Sequence, residues 1–403
     1  MNLIIKCYCR GFQLVFRLAM PLMPYREPEC FESIRDLPPL LERLGVRSVL
    51  LVTDQPLREA GVTQPLEELL EQSNIHCAVY DETRANPTVG NVEAARTRYL
   101  EEKCQGLIAF GGGSSIDCAK AVGARIVYPK RSVNQMKGLL RVLRRLPPLI
   151  AIPTTAGTGS EVTVTAVITD SDRKHKYTMN NFSMIPHYAV LDPAVTRTLP
   201  PALTATTGMD ALTHAVEAYI GGSTTRETRR LALEAVQLIF ANIETAYRDG
   251  SDLTARKHML HAAHIAGIAF SKSYVGYIHA VAHSLGGQYN IPHGLANAVL
   301  LPVGLEMYGP CRGLYRKLWT LGRSAGVVTE TMTEEEGAKA FIAAIRSLNR
   351  RLGIPETLPG IRREDIPVMA AHAAREANPL YPVPRLMDAA ELAQFYERVM
   401  EAD

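Results

Sequence analysis

The sequence predicts an α/β domain followed by an all-helical domain, and three observations lead to that fold class. A chain of 403 residues exceeds what one ordinary hydrophobic core holds. Up to about residue 195, short apolar runs alternate with helix-like patterns, as in parallel βαβ units. Beyond that point the periodicity is helical nearly to the end. The expected boundaries are 1–25 for an N-terminal amphipathic helix, 26–195 for the α/β domain and 196–403 for the helical domain.

The N-terminal stretch "MNLIIKCYCRGFQLVFRLAMPLMP" is apolar but interrupted by Lys6, Arg10 and Arg17. It therefore lacks the run of about 20 apolar residues that a transmembrane helix needs, and it lacks the small-residue cleavage site of a signal peptide. The reading is an amphipathic helix docked on the body or on a second subunit, which leaves room for a homo-oligomer. A peripheral membrane contact is the alternative that its basic-amphipathic pattern allows.

"SVLLVTD" (48–54) reads as a strand ending in an acid, and a helical stretch follows from Pro56 to Gln72. "IHCAVYDET" (75–83) is the next strand and "VGNVEAARTRYLEEK" (89–103) the next helix. "GLIAFGGGSSIDCAKAVGA" (106–124) reads as strand, loop and helix, and "PPLIAIPTTAGTGSEVTVTAVITD" (147–170) adds another strand and loop. The prolines and glycine of 189–208 read as a linker. After it, 228–249 and 337–353 carry long helical patterns, the second opened by the capping-type "TEEE" at 333–336.

The composition, 47% hydrophobic and 21% charged, is that of an ordinary globular protein. A net charge of +3 gives no reason to expect a nucleic-acid partner. The seven cysteines are odd in number and form no C-x-x-C pair. That fits a reducing, cytoplasmic location rather than a disulfide framework or a thiolate zinc site.

Two loops carry the first chemical signal. Gly111, Gly112 and Gly113 follow a buried strand and precede a helix, where backbone N–H groups can approach a phosphate at the positive end of the helix dipole. A tight βα turn would use the same glycines, and the pattern is not the G-x-G-x-x-G fingerprint. The loop "PTTAGTGSE" (153–161) supplies hydroxyls and two further glycines. Two such loops on one sheet point to a pyrophosphate site. Asp54, at the end of the first strand, can accept hydrogen bonds from a ribose and would repel a 2′-phosphate, so NAD is preferred over NADP. Its competing role is a helix N-cap.

The second signal is a set of imidazoles. Asp210 and His214 stand at i, i+4, hence on one helix face, and His279 and His283 repeat the spacing. His293 follows a Gly-Gly break and Pro292, so the chain can turn back toward the same point. One carboxylate with several neutral imidazoles suits Fe²⁺ or Zn²⁺. A single pair of this kind is equally well a pair of core histidines; two pairs with a His-Gly turn favour a metal.

These segments together resemble the iron-containing alcohol dehydrogenase family. "VLLVTD", "NPT" at 86–88, "GGGSSID", "IPTTAGTGSE", "GMDALTHAVEAY" and "IHAVAHSLGGQYNIPHGLANAVLLP" occur in the family's order over roughly residues 45–310. The resemblance implies a dehydroquinate synthase-like fold, with metal and nicotinamide in an interdomain cleft. It implies Asp210, His214, His279 and His293 as metal ligands, with Fe²⁺ as the metal and Zn²⁺ as the alternative. His283 matches a nearby histidine that is not a ligand and is the candidate proton shuttle. Asp54, Asn86, Gly112, Gly113, Ser114, Asp117, Thr154, Thr155, Thr158 and Lys176 fall where the family holds NAD(P). The implied reaction is reversible hydride transfer between NAD(H) and a small primary alcohol or aldehyde. A polyol dehydrogenase, a dehydroquinate-synthase-like lyase and a redox-silent NAD- or metal-binding protein are the alternatives. The departures lie at the ends: the family's opening hairpin is not recognisable in "PYREPECFESIRDLPPLLERLG", and the leading basic-apolar helix is an addition relative to many members, shared by a subset.

The remaining histidines receive no catalytic role. His258, His261 and His264 read as one helix facing the cleft or the core, and His76, His175, His187 and His372 as loop or polar-surface residues. Cys118 reads as a small helix-packing residue, with no histidine partner beside it.

Overall fold

Nearly continuous apolar strands such as "SVLLV" and "LIAIP" belong in a sheet covered on both faces, and the chain folds accordingly. The computed structural model describes residues 1–171, 175–311 and 313–401, without the side chains of Pro21 and His175. The chain divides into two compact units. One comprises Pro24–Leu199 and Gly250–Leu260; the other comprises Met1–Met23, Pro200–Asp249 and His261–Asp403.

The first unit is built on β1 (Glu29–Phe31), β2 (Ser48–Val52), β3 (His76–Tyr80), β4 (Gly106–Gly111), β5 (Gly138–Leu139), β6 (Leu149–Pro153), β7 (Thr165–Asp170), β8 (His175–Asn180) and β9 (Tyr188–Val190). Six of these form one sheet in the order β1-β9-β6-β4-β2-β3, with every pair parallel. The other three form a small sheet in which β7 and β8 run antiparallel. Side chains alternate between the two faces of the large sheet. Leu50, Val52, Leu107 and Ala109 enter one core, while Val49, Leu51, Ile108 and Phe110 enter the other. The register sets Gly111 beside Pro153, so the loops after β4 and β6 leave the same edge as Asp54 after β2, the carboxyl edge where open α/β sheets bind ligands.

The helices preceding the linker region are α1 (Leu3–Ala19), α2 (Leu37–Arg43), α3 (Gln55–Glu59), α4 (Gln64–Gln72), α5 (Val89–Glu101) and α6 (Gly113–Val127). The single helix expected over 56–72 is two helices, parted where Gly61 adopts φ +69°. The expected linker 189–208 is also shorter than supposed. Its first residues complete β9, and α7 (Pro201–Ile220) begins inside it, with a proline where the missing N–H costs nothing.

Then follow α8 (Arg226–Arg248), α9 (Leu253–Ser273), α10 (Tyr277–Tyr289), α11 (His293–Tyr308), α12 (Leu314–Ser324), α13 (Glu334–Arg351), α14 (Ile366–Ala377) and α15 (Ala389–Val399). The "TEEE" signal is a reciprocal cap of α13: Glu336 N–H donates to Thr333 Oγ1 at 3.2 Å, and Thr333 N–H donates to Glu336 Oε2 at 2.9 Å. The expected Gly-Gly break is not one, because Gly286 and Gly287 lie inside α10. The chain turns instead at Asn290, left-handed at φ +55°.

Candidate metal centre and nucleotide loops

Helical spacing places Asp210, His214 and Glu217 on one side of α7, and α10 and α11 bring the other histidines to them. One ligand atom each from Asp210, His214, His279 and His293 lies within 4.8 Å of the others, and no other such group occurs among the described residues. His293 Nε2 stands 3.4 Å and His279 Nε2 3.9 Å from Asp210 Oδ1. The His214 ring lies between Phe270, with centroids 4.1 Å apart, and His279, at 4.4 Å.

Close backbone approach makes this convergence possible. A Cβ at Gly294 would lie 2.5 Å from the Thr206 carbonyl oxygen, so glycine in the first turn of α11 lets that helix meet α7. A Cβ at Gly276 would lie 2.5 Å from Glu217 Oε1, the carboxylate that opens α10. Glu217 accepts from Gly276 N–H at 2.8 Å and Ile278 N–H at 2.9 Å, and it faces His279 Nδ1 at 2.6 Å. With Nδ1 so engaged, the proton sits on that nitrogen and Nε2 carries the lone pair. His279 Nε2 is buried and has no hydrogen-bond partner. An orphaned acceptor at this depth is costly, and a cation among four N and O donors satisfies it. The residues therefore fit a divalent metal.

The protonation states agree with that fit. Burial first, then the neighbouring imidazoles, holds His279 well below the usual histidine range. His293 keeps 38% of its side chain exposed, yet enclosure of the rest of the ring lowers its pKa to about 4. Both are neutral near pH 7, as ligands must be. Glu217 is pushed up to about 7 by burial, against its three hydrogen bonds.

His283 stands apart from the set of four. Its ring stacks on His293 at 5.1 Å, and its Nδ1 lies 2.6 Å from Glu376 Oε1. Burial, the largest single influence, pulls its pKa down, but Glu376 together with the charges of Asp210 and Glu217 brings the net direction up. Tyr381 donates to the same Glu376 oxygen at 2.7 Å.

The nucleotide candidates gather at the carboxyl edge of the large sheet. Gly112 caps α6 without a side chain, which leaves the first N–H groups of that helix open to an anion. A Cβ on Gly111, at φ +152°, would lie 2.5 Å from Ser115 Oγ, and one on Gly113 would lie 3.0 Å from Thr158. Thr155 faces Gly112, and Thr154 donates its N–H to Gly111 O at 3.0 Å. Asn86, left-handed at φ +61°, donates its N–H to Ser114 Oγ at 3.2 Å. Lys176 sits on β8 opposite Thr169, whose N–H reaches Pro87 O at 2.8 Å, so it adjoins the 86–88 loop. This cradle of glycines and hydroxyls fits a dinucleotide.

Two of these candidates are engaged within the protein. Asp54 caps α3, accepting Leu57 N–H at 3.1 Å, and Ser115 Oγ lies 3.5 Å from its other oxygen. Burial raises its pKa. Asp117 accepts Ser160 Oγ–H at 2.6 Å and Val167 N–H at 2.8 Å, which pins the second loop to α6.

Residues that sequence reasoning missed now stand out. Lys120 is fully buried and donates to Thr163 O, Thr163 Oγ1 and Thr165 O at 2.8–2.9 Å, with burial lowering its pKa to about 8. Asn297 Nδ2 donates to Asp210 Oδ1 at 2.6 Å and lies 3.1 Å from His293 Nε2. Glu217 and Asn297 had a local signal, since they stand one helical turn from His214 and His293. Glu376 had none. Of the histidines given no role, His261 pairs with Glu234 at 3.6 Å and His264 is buried. The side chain of His175 lies outside the described residues.

Residues 31–193 match the family described as iron-containing alcohol dehydrogenase, and residues 204–400 match the Fe-containing alcohol dehydrogenase family, C-terminal. Alcohol dehydrogenase 4 of Saccharomyces cerevisiae is 36% identical over 333 residues, which are 82% of this chain and 85% of that protein. The crystal structure of a 1,3-propanediol oxidoreductase superposes with a TM-score of 0.89 at 35% identity, covering 94% of this chain and all of that one. Sulfoacetaldehyde reductase from Bifidobacterium kashiwanohense, solved in complex with NAD⁺, gives a TM-score of 0.83 at 26% identity, covering 94% and 99%.

Proposed function

The chain belongs to the iron-containing alcohol dehydrogenase family and is a metal-dependent alcohol dehydrogenase, and from that premise we propose that it exchanges a hydride between NAD(H) and a small primary alcohol or aldehyde, with Fe²⁺ as the resident metal. The observation that carries this reading is the orphaned His279 Nε2 facing Asp210, His214 and His293. When bound, a divalent metal supplies a Lewis acid that lowers an alcohol's pKa, and nicotinamide supplies the hydride carrier. Asp210, His214, His279 and His293 would hold that metal.

The chain's own residues perform the positioning. Glu217 keeps the His279 proton on Nδ1, so that Nε2 points inward. Asn297 fixes the orientation of the Asp210 carboxylate. His283, tied at Nδ1 to Glu376 and 43% exposed, presents Nε2 as the group that passes the alcohol proton to solvent. On the nucleotide side, the α6 N-terminus and the Gly112–Gly113 turn receive the pyrophosphate, and Asp54, while one oxygen caps α3, offers its other oxygen Oδ2 to the ribose, which favours NAD over NADP. That the described cysteines form no disulfide fits a reducing cytoplasm. The likeness to a 1,3-propanediol oxidoreductase supports a short diol as the second substrate class.

The test pairs anaerobic metal analysis with an NAD-linked assay over ethanol to hexanol and the propanediols. Wild type is expected to carry metal and to reduce NAD faster than NADP. His279→Ala is expected to lose both metal and turnover; retained turnover would overturn the reading.

A further inference from the structure

Helix α1 docks on the helical unit by polar bonds and turns its apolar side outward. Arg10 donates to Val383 O at 2.7 Å and Pro384 O at 2.8 Å, and Gln13 Nε2 donates to Tyr381 O at 2.7 Å. Phe16 meets Tyr274 edge-on at 5.1 Å. Only Cys9 and Gln13 of the helix are buried. Of the sixteen large apolar side chains that the described residues leave exposed, nine fall within the first 22 positions. Leu3, Ile4, Val15 and Leu18 are 75%, 80%, 68% and 67% exposed.

These residues form one surface. With about 3.6 residues per turn, Ile4, Tyr8, Val15 and Leu18 fall on the side opposite Cys9 and Gln13. The apolar arc from Leu3 round to Ile5 covers more than half the circumference. Lys6, Arg10 and Arg17 share the remaining flank, beside Leu3 and Leu14. Monomeric soluble proteins rarely leave so continuous an apolar face uncovered.

Charge decides what covers it. No acidic residue precedes Glu27, while α1 carries three basic ones. A second copy laid against α1 would set these like charges together. An anionic lipid surface answers both the apolar face and the basic rim. The family matches begin at residue 31, so α1 lies outside the matched segments. No helix among the described residues is long and apolar enough to cross a membrane.

We propose that α1 is a membrane-surface dock, which lies in the interface of an anionic bilayer with Ile4, Val15 and Leu18 at the acyl boundary and Lys6 and Arg17 among the phosphates. The full-length protein is tested by co-sedimentation with vesicles of phosphatidylcholine alone and of equimolar phosphatidylcholine and phosphatidylglycerol. Binding is expected only to the anionic vesicles and is expected to fall as salt rises. The double variant Ile4→Glu, Val15→Glu is expected to lose binding with its thermal midpoint and alcohol oxidation unchanged. Lys6→Ala and Arg17→Ala, made separately, are each expected to weaken binding about fivefold. Absence of binding, or equal binding to both vesicle types, would overturn the proposal. So would a smaller molar mass of the double glutamate variant by light scattering, because the face would then be a contact between copies.

Discussion

Glu217 receives three donors from the opening turn of α10, and each has a different task. The Gly276 and Ile278 N–H groups begin the helix, while His279 Nδ1–H fixes the tautomer. Glu217→Gln preserves size but brings an amide NH₂ toward those donors. The expected outcome is a fall of about 10- to 100-fold in metal affinity or activity, with a lowered thermal midpoint worth about 1–3 kcal/mol, because a buried N–H of the α10 start then faces another donor. Metal titration and steady-state kinetics of the purified variant check it. At this scale the grouping of Asp210, His214, His279 and His293 was legible because each comes from a short helical motif whose spacing survives folding. Glu376 was not legible, because its only link to His283 spans 93 residues of chain and no periodicity announces it. Asp117 illustrates a second limit. Its place in "GGGSSID" says that it is near the nucleotide loops, but only coordinates reveal that both its oxygens are occupied by Ser160 and Val167.

At the scale of elements, the metal site depends on how closely α11 approaches α7. Gly294 sets that approach, since a methyl group there meets main-chain oxygen, which cannot rotate away. Gly294→Ala is expected to cost about 1–3 kcal/mol of stability and to weaken metal binding, because His293 moves with its helix. Gly287→Ala is the matched control. It lies inside α10 with nothing near a new Cβ, so it is expected to leave metal binding intact and to stabilise by about 0.5–1 kcal/mol. Thermal unfolding with and without metal separates the two. The Gly-Gly pair was misread as a break because glycine is a poor helix former in isolation. Here the packing of α10 against α11 and α14 overrides that preference, and Asn290 makes the turn. The division of 56–72 into α3 and α4 was hidden for the opposite reason, since a single left-handed Gly61 leaves the apolar spacing on either side intact.

For the whole molecule, the alternation of strand and helix announced a parallel sheet but not its strand order, which depends on pairings between segments far apart in the chain, such as β1 with β9. The assignment of Gly250–Leu260 to the α/β unit was not legible, because α9 has unbroken helical periodicity through it. Its first turns are held by Lys257 pairing with Glu32 at 2.8 Å and by Arg256 donating to Leu199 O at 3.2 Å, contacts that no local pattern encodes. Global stability should also depend on pH through His187, whose Nδ1 accepts Leu149 N–H at 3.2 Å. Burial, with Arg26 and Arg145 adding to it, lowers its pKa from 6.5 to about 4. The unfolded chain therefore takes up the proton first, and stability falls as pH drops through that window, by up to about 3 kcal/mol. His187→Asn keeps an acceptor for Leu149 and removes the titration. Its thermal midpoint is expected to decline less steeply across the same range, and an unchanged slope would count against His187 as the source.

The grip of α1 on the body has one more consequence. Arg10 and Gln13 hold the main-chain oxygens of Tyr381, Val383 and Pro384, and main-chain oxygens are the same whatever side chains surround them. The receiving surface can therefore vary in sequence without releasing the helix, whereas Arg10 and Gln13 cannot. For the grip itself the constraint is one-sided, falling on Arg10 and Gln13; Tyr381 and Val383 are constrained for another reason, since both are buried and Tyr381 also holds Glu376.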